Sequence, residues 1–152
     1  MIKKISVIFP TFNESENLPI LFKNLNNELD AKDIDFEVII IDDNSPDGTW
    51  EIAKKLEKKS QKVKAIIRKN EKGLASAIKT GIENSQYPLI CIMDTDLSHP
   101  PKDIIRMLNF FPEYDMVWAS RYVKGGKMNA MGKKRLQRWL SLIFNYYLKI
   151  IL

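Results

Sequence analysis

Short apolar, β-branched runs alternate along this chain with longer segments whose apolar residues recur every three or four positions. Ile5 to Phe9 is the first run and reads as a buried strand ended by Pro10. Leu18, Leu21, Phe22, Leu25 and Leu29 then share one helical face, which predicts a helix over 18–29. The same alternation predicts strands at 36–41, 63–67, 89–93 and 115–119, and helices at 50–59, 74–84 and 102–110. Gly73 precedes the third helix, and Pro100 and Pro101 open the fourth.

Strand followed by helix, four times, then a last strand, is the order of an α/β protein with an open, mostly parallel sheet. The runs EVIII (37–41) and LICIM (89–93) are apolar on both faces, as strands covered by helices on both sides must be. In such sheets ligands bind beyond the carboxyl ends of the strands. Those ends read Pro10-Thr-Phe-Asn-Glu14, Asp42-Asp43-Asn-Ser-Pro, Arg68-Lys69-Asn70, Asp94-Thr95-Asp96 and Ser120-Arg121-Tyr122. Two of the five carry paired carboxylates on one edge.

Composition adds boundaries. At 152 residues, 45% apolar and 28% charged, the chain suits one soluble domain with a real core. That excludes a collagen, a disulfide scaffold and a mostly disordered chain. The lone Cys91 cannot form an internal disulfide, and a reducing compartment fits it. The start reads as a first strand, with no signal peptide. Charge is unevenly placed. Residues 1–120 hold 16 basic and 19 acidic side chains, whereas 121–152 hold 8 basic and none acidic, so a net +5 conceals −3 followed by +8. A basic tail points to an anionic partner, whether phosphate ligand, membrane surface or nucleic acid, unless it is only a solvated face.

Two acids one residue apart, Asp94 and Asp96, can converge on one point where regular pleating ends. Hard oxygen donors of this kind suit Mg2+ or Mn2+ bridged to substrate phosphates. His99 is the only histidine; it reads as positioning the loop before the helix, with a ligand or base role as the alternative. In Asp42-Asp43-Asn44-Ser45-Pro46-Asp47-Gly48-Thr49, turn and capping chemistry explains Ser45 to Thr49. It does not explain two adjacent acids at a strand end, where a carboxylate can accept hydrogen bonds from ribose hydroxyls.

PTFNESENLP (10–19), IIIDDNSPDGT (39–49), GLASAIKTG (73–81), MDTDLSHPP (93–101) and ASRY (119–122) occur in this order. Together they resemble family 2 glycosyltransferases of the dolichol-phosphate mannose synthase type, over roughly residues 5–145. The resemblance implies a glycosyltransferase A fold and an inverting hexosyltransferase. It implies a nucleotide-diphosphate-sugar donor such as GDP-mannose or UDP-glucose, a divalent metal (Mg2+ or Mn2+), and a polyprenyl or dolichyl phosphate acceptor on the cytoplasmic face of a membrane. By position, Pro10, Phe12 and Glu14 resemble the first nucleotide-contacting loop. Ile41 and Asp43 resemble the pair that meets base and ribose. Asp94, Thr95 and Asp96 resemble the stretch holding metal and donor, with Asp94 and Asp96 as ligands. Arg121 resembles the arginine that meets the donor phosphates, and with Asp96 it is the expected catalytic pair. Phe12 stands where tyrosine is common, Asn44 where glycine is usual, Thr95 where alanine is usual, and Ser98 where some members offer glutamine. Family members normally continue past this length, so the chain reads as truncated at its C-terminus.

The resulting expectation is transfer of a hexose, mannose foremost, to a lipid phosphate. An acceptor phosphate is already anionic near neutral pH, so no strong general base is required; a sugar hydroxyl acceptor would need one. The alternatives are a transferase acting on such a hydroxyl and an inactive nucleotide-sugar-binding module. A nucleotidyltransferase should carry a glycine-rich basic loop after its first strand, which PTFNES is not. A nucleic-acid binder rests only on the rings and cations at 135–147. Two segments are expected: a catalytic domain over 1–135 and an apolar, partly amphipathic helix over 136–152. In that helix Gln137, Ser141, Asn145 and Lys149 form a narrow polar stripe, and it reads as packing or interfacial.

Overall fold

The computed structural model describes residues 4–111 and 113–120. Within them the element order is β1 (Lys4–Thr11), α1 (Asn17–Asp30), β2 (Asp35–Asp42), α2 (Thr49–Lys59), β3 (Val63–Ile67), α3 (Leu74–Glu83), β4 (Ile90–Ile92) and α4 (Lys102–Leu108). The strands form one parallel sheet in the order β3-β2-β1-β4.

Alternation along the two central strands divides the core. Ile5, Val7 and Phe9 of β1 and Phe36, Val38 and Ile40 of β2 belong to a cluster with Leu18, Leu21, Leu25 and Leu29 of α1, Ala53 of α2 and Ile104 and Leu108 of α4. Ile8, Ile39 and Ile41 point the other way and pack with Ala77 of α3. One sheet face is therefore covered by three helices and the other by α3, which is why these runs are apolar at every position. The four α1 leucines are fully buried, each contributing about 1.5–3 kcal/mol of transfer free energy.

Pro10 does not end β1, which runs one residue further and pairs Pro10 with Ile41 and Thr11 with Asp42. Ser6 and Ile8 turn their backbone groups toward β4, through Ser6 N–H to Leu89 O and Met93 N–H to Ile8 O. Pro10, two residues on, has the same orientation, and the β4 ladder has already ended at Ile92. The missing N–H therefore costs no ladder bond, and the Pro10 carbonyl accepts the Thr95 hydroxyl instead (3.1 Å).

Two expectations fail. No strand forms over 115–119, and Met116 and Trp118 are exposed. An apolar run reports a wish for burial, but a strand exists only through its ladder, and this segment has no partner among the described residues. Strand β4 is likewise shorter than 89–93, and Ile92 is half exposed rather than covered on both faces. The tail helix expected over 136–152, and the boundary at 135, lie outside the described residues.

Candidate functional site

The carboxyl ends of β1, β2 and β4 carry most of the expected residues; Pro10, Phe12 and Asp43 line one cleft, and Asp94, Thr95 and Asp96 follow β4, where the Thr95 hydroxyl donates to the Pro10 carbonyl. The two acids ending β2 have different tasks. Asp42 is fully buried. Its carboxylate accepts the Ser45 N–H (3.0 Å) and hydroxyl (2.6 Å) and the Thr11 hydroxyl (3.3 Å), so it ties the strand end to its own turn. Asn44 follows at φ 56°, the left-handed conformation that asparagine tolerates and glycine usually supplies.

Asp43 instead faces a cleft of about 340 Å3 lined by Pro10, Thr11, Phe12, Asp43, Lys72, Gly73, Leu74 and Ala77. Both its oxygens are engaged from behind. Oδ1 accepts from Nε (2.7 Å) and Nη2 of Arg68, and Oδ2 accepts the Gly73 N–H (2.8 Å). Arg68 is itself buried. It also donates from Nη1 to Ser76 Oγ (2.7 Å) and from Nη2 to the Gly73 carbonyl (3.0 Å). The register explains the pairing: Asp42 lies opposite Ile67, so the next residues, Asp43 and Arg68, meet just past the ladder. Gly73 has φ 124° and ψ 145°, a conformation closed to other residues without strain. Arg68 was visible in the sequence only as one charge at a strand end; the signal that finds it is the adjacency of β2 and β3.

Phe12, half exposed, flanks the cleft, with Lys72 Nζ 5.6 Å from its ring centroid. The loop behind Phe12 is latched by the β2–α2 loop. Three consecutive N–H groups, of Asn13, Glu14 and Ser15, donate to Ser45 Oγ (3.0 Å), Thr49 Oγ1 (2.9 Å) and Asp47 Oδ2 (3.0 Å). Asp47 also accepts the Thr49 N–H (3.1 Å) and hydroxyl (2.5 Å). Gly48, at φ 90°, is the residue that caps α2, so Asp47 serves the helix start from one position earlier. Desolvation pushes the exposed Asp47 carboxyl up, but the hydrogen bonds from Thr49 and Ser15 outweigh it and hold the group down at about 2.

The remaining expected residues are placed as follows. Glu14 does not line the cleft; its carboxylate accepts from Asn17 Nδ2 (2.7 Å) at the start of α1. Ile41 is fully buried, and its carbonyl accepts the Thr11 hydroxyl (3.2 Å). Beyond β4, Asp94 and Asp96 are exposed while Thr95 between them is buried. Asp96 accepts the Ser98 N–H (2.9 Å), and Leu97 takes φ 60° in that turn. His99 is half-buried. Among the described residues no group of three His, Cys, Asp or Glu side chains is gathered. Two hard oxygen donors suit Mg2+ or Mn2+, which keep waters and complete their shell with phosphate oxygens, better than a zinc-type site of sulfur and nitrogen donors. Arg121 lies outside the described residues. Burial pushes the Cys91 thiol up to about 12, so it is no nucleophile at neutral pH.

Known proteins resemble this chain in sequence and in fold. A dolichol-phosphate mannosyltransferase of Pyrococcus furiosus is 44% identical over 126 residues, covering 82% of this chain and 35% of its own. An undecaprenyl-phosphate 4-deoxy-4-formamido-L-arabinose transferase of Yersinia enterocolitica is 30% identical over 145 residues, covering 93% of this chain and 43% of its own. The chain thus spans between a third and a half of these relatives' length. Among solved structures, the mannosyltransferase PcManGT from Pyrobaculum calidifontis, in complex with GDP-Man and Mn2+, superposes with a TM-score of 0.58 at 23% identity, over 69% of this chain and 31% of that one. TarS from S. aureus, in complex with UDP-GlcNAc, gives 0.57 at 25% identity, over 72% and 31%. The parallel sheet with its strand-end acids is accordingly a glycosyltransferase A type of fold. Residues 6–151 match the family described as glycosyl transferase family 2, and with that match and the Pyrococcus relative the chain belongs to glycosyl transferase family 2.

Proposed function

We propose that this chain is the donor-binding part of a transferase that moves a hexose, mannose foremost, from a nucleotide-diphosphate sugar to a polyprenyl phosphate. The observation that carries the reading is Asp43: a buried carboxylate, oriented from behind by Arg68 and Gly73, facing a cleft beside the Phe12 ring. Such an acceptor suits the hydroxyls and N–H groups of a nucleoside and repels its phosphates. The names of the two relatives, a dolichol-phosphate and an undecaprenyl-phosphate transferase, support a lipid-phosphate acceptor. GDP-Man in the Pyrobaculum complex supports a guanine donor, and Mn2+ there supports a divalent ion.

In this reading Phe12 stacks on the nucleoside and Asp43 fixes it. Asp94 and Asp96 would hold Mg2+ or Mn2+, which would supply positive charge against the leaving nucleoside diphosphate. Arg121, by resemblance, adds a cation at the same phosphates. The acceptor phosphate attacks the sugar carbon as an anion, so the protein's task is orientation and charge stabilisation rather than proton removal. Work at the cytoplasmic membrane face would follow from the lipid acceptor; among the described residues no helix is long and apolar enough to cross a membrane.

The test is a thermal-shift series of GDP, UDP, GDP-mannose and UDP-glucose with Mg2+ or Mn2+, followed by transfer to a polyprenyl phosphate. A ligand at about 100 times its Kd adds roughly 2.7 kcal/mol. Stabilisation by GDP and GDP-mannose above their uridine counterparts is expected. No shift with any of the four overturns the donor reading. Binding without transfer leaves a nucleotide-sugar-binding module.

A further inference from the structure

Arg68 lies behind the cleft rather than in it, and its four hydrogen bonds go to both walls. Its fork holds Asp43 Oδ1, Nη2 also holds the Gly73 carbonyl, and Nη1 holds Ser76 in the first turn of α3. Ser76 Oγ in turn donates to the Gly73 carbonyl (3.0 Å), while the Gly73 N–H closes on Asp43 Oδ2. The ring runs from the end of β2 through Arg68 at the end of β3 to the start of α3. It fixes a carboxylate and a positive-φ glycine, both of which line the cleft. No residue of the ring sits at Asp94 or Asp96, and the Arg68 side chain is only 5% exposed. Lysine could supply the charge, but not the planar fork that meets three partners at once.

We propose that Arg68 is a positioning residue that sets the protein's preference for the nucleoside over the diphosphate half of its donor, acting through Asp43 and Gly73 without touching the ligand. This rests on the donor reading above. If it holds, loss of the fork frees Asp43 and the Gly73 turn and weakens only contacts to the nucleoside. A residue needed merely for folding would weaken every ligand together.

The experiment compares wild type with Arg68→Lys, Arg68→Met, Asp43→Asn and the Asp43→Asn/Arg68→Met double variant. Kd is measured for GDP and for inorganic diphosphate, each with Mn2+, and amide exchange is followed at Gly73. Arg68→Lys is expected to weaken GDP about tenfold or more, about 1.4 kcal/mol, to leave diphosphate within about twofold, and to speed exchange at Gly73. Arg68→Met leaves a buried carboxylate unpaired and is the variant most at risk of unfolding; the double variant removes both charges and retains the comparison. In the Asp43→Asn background, losing Arg68 should change GDP affinity clearly less than it does in wild type, because the Asp43 half of its action is already gone and only its hold on Gly73 is left to lose. Equal losses for GDP and diphosphate, or additive effects of the two substitutions, overturn the proposal while leaving nucleotide binding standing. Failure of wild type to bind GDP at all overturns both.

Discussion

Single carboxylates at the strand ends have separable tasks, and substitution should separate them. Asp96 is exposed just past β4, at the turn whose Ser98 N–H it accepts. Asp96→Asn keeps an oxygen that can accept the Ser98 N–H, so the free protein should still unfold in one cooperative transition. The substitution should remove the metal-dependent part of nucleotide affinity, a loss of about tenfold or more. Retention of full Mn2+-dependent binding would refute its role as a ligand. Asp47 is the converse, a residue of the latch rather than of the cleft. Its folded-state carboxyl is held down at about 2 against an ordinary 3.8, so its contribution is complete above the ordinary value and disappears as pH falls through 2. Asp47→Asn should cost less than about 1 kcal/mol at neutral pH, because asparagine keeps an acceptor oxygen at the helix start and only the charge is lost. Urea midpoints of the two proteins should converge as pH drops from 4 toward 2. At this scale the sequence was partly legible. The DD pair announced itself and the resemblance singled out Asp43; the structure adds the reason, with Asp42 consumed by its own turn and Asp43 lining the cleft. Arg68 stayed hidden because a single arginine after a strand carries no pattern; its meaning comes from the neighbouring strand.

Among elements, α3 is the one that had to be built of small residues. Among the described residues it is the one helix on its face of the sheet, and it approaches β1 so closely that a Cβ at Gly81 would stand 2.4 Å from Ile8 Cγ2. Ile8 is fully buried and has nowhere to move. Gly81→Ala should therefore destabilise by about 1–3 kcal/mol despite alanine's better helix propensity. Combined with Ile8→Ala, the total loss should fall short of the sum of the two, since one substitution vacates the space the other fills. Additive denaturation midpoints would mean that the helix simply shifts outward. The strand–helix alternation was legible because both periods are set by burial. The 115–119 strand was misread for the same reason: Val117, Trp118 and Ala119 show a need for cover, while pairing depends on a neighbour that local sequence does not encode. Pro10 misled in the opposite sense, since the side of a strand on which its missing N–H falls is fixed only by register.

For the whole chain, the division of charge is the property no single element carries. The first 120 residues are net acidic, and the basic remainder holds Lys124, Lys127, Lys133, Lys134 and Arg135 ahead of an apolar segment with Trp139, Tyr146 and Tyr147. Each cation near an anionic lipid surface contributes on the order of 1 kcal/mol, screened over about 10 Å at 0.1 M salt. The 152-residue chain is therefore expected to sediment with vesicles containing anionic lipid at low salt, to release at high salt, and to ignore zwitterionic vesicles. Recovery in the supernatant with anionic vesicles at low salt would assign those residues to packing.

The latch behind Phe12 has a further consequence, for the thermodynamics of encounter. Because side chains of the neighbouring loop already hold three successive backbone N–H groups at 13–15, that stretch of main chain surrenders its conformational entropy during folding. Roughly 1–2 kcal/mol per residue would otherwise be lost at the moment a ligand arrives. The aromatic platform therefore stands preorganised, and a nucleotide meeting it has no segment to freeze here. Association at this wall should be governed by diffusion and charge rather than by a slow ordering step, and loosening the latch should transfer the ordering cost to the binding entropy.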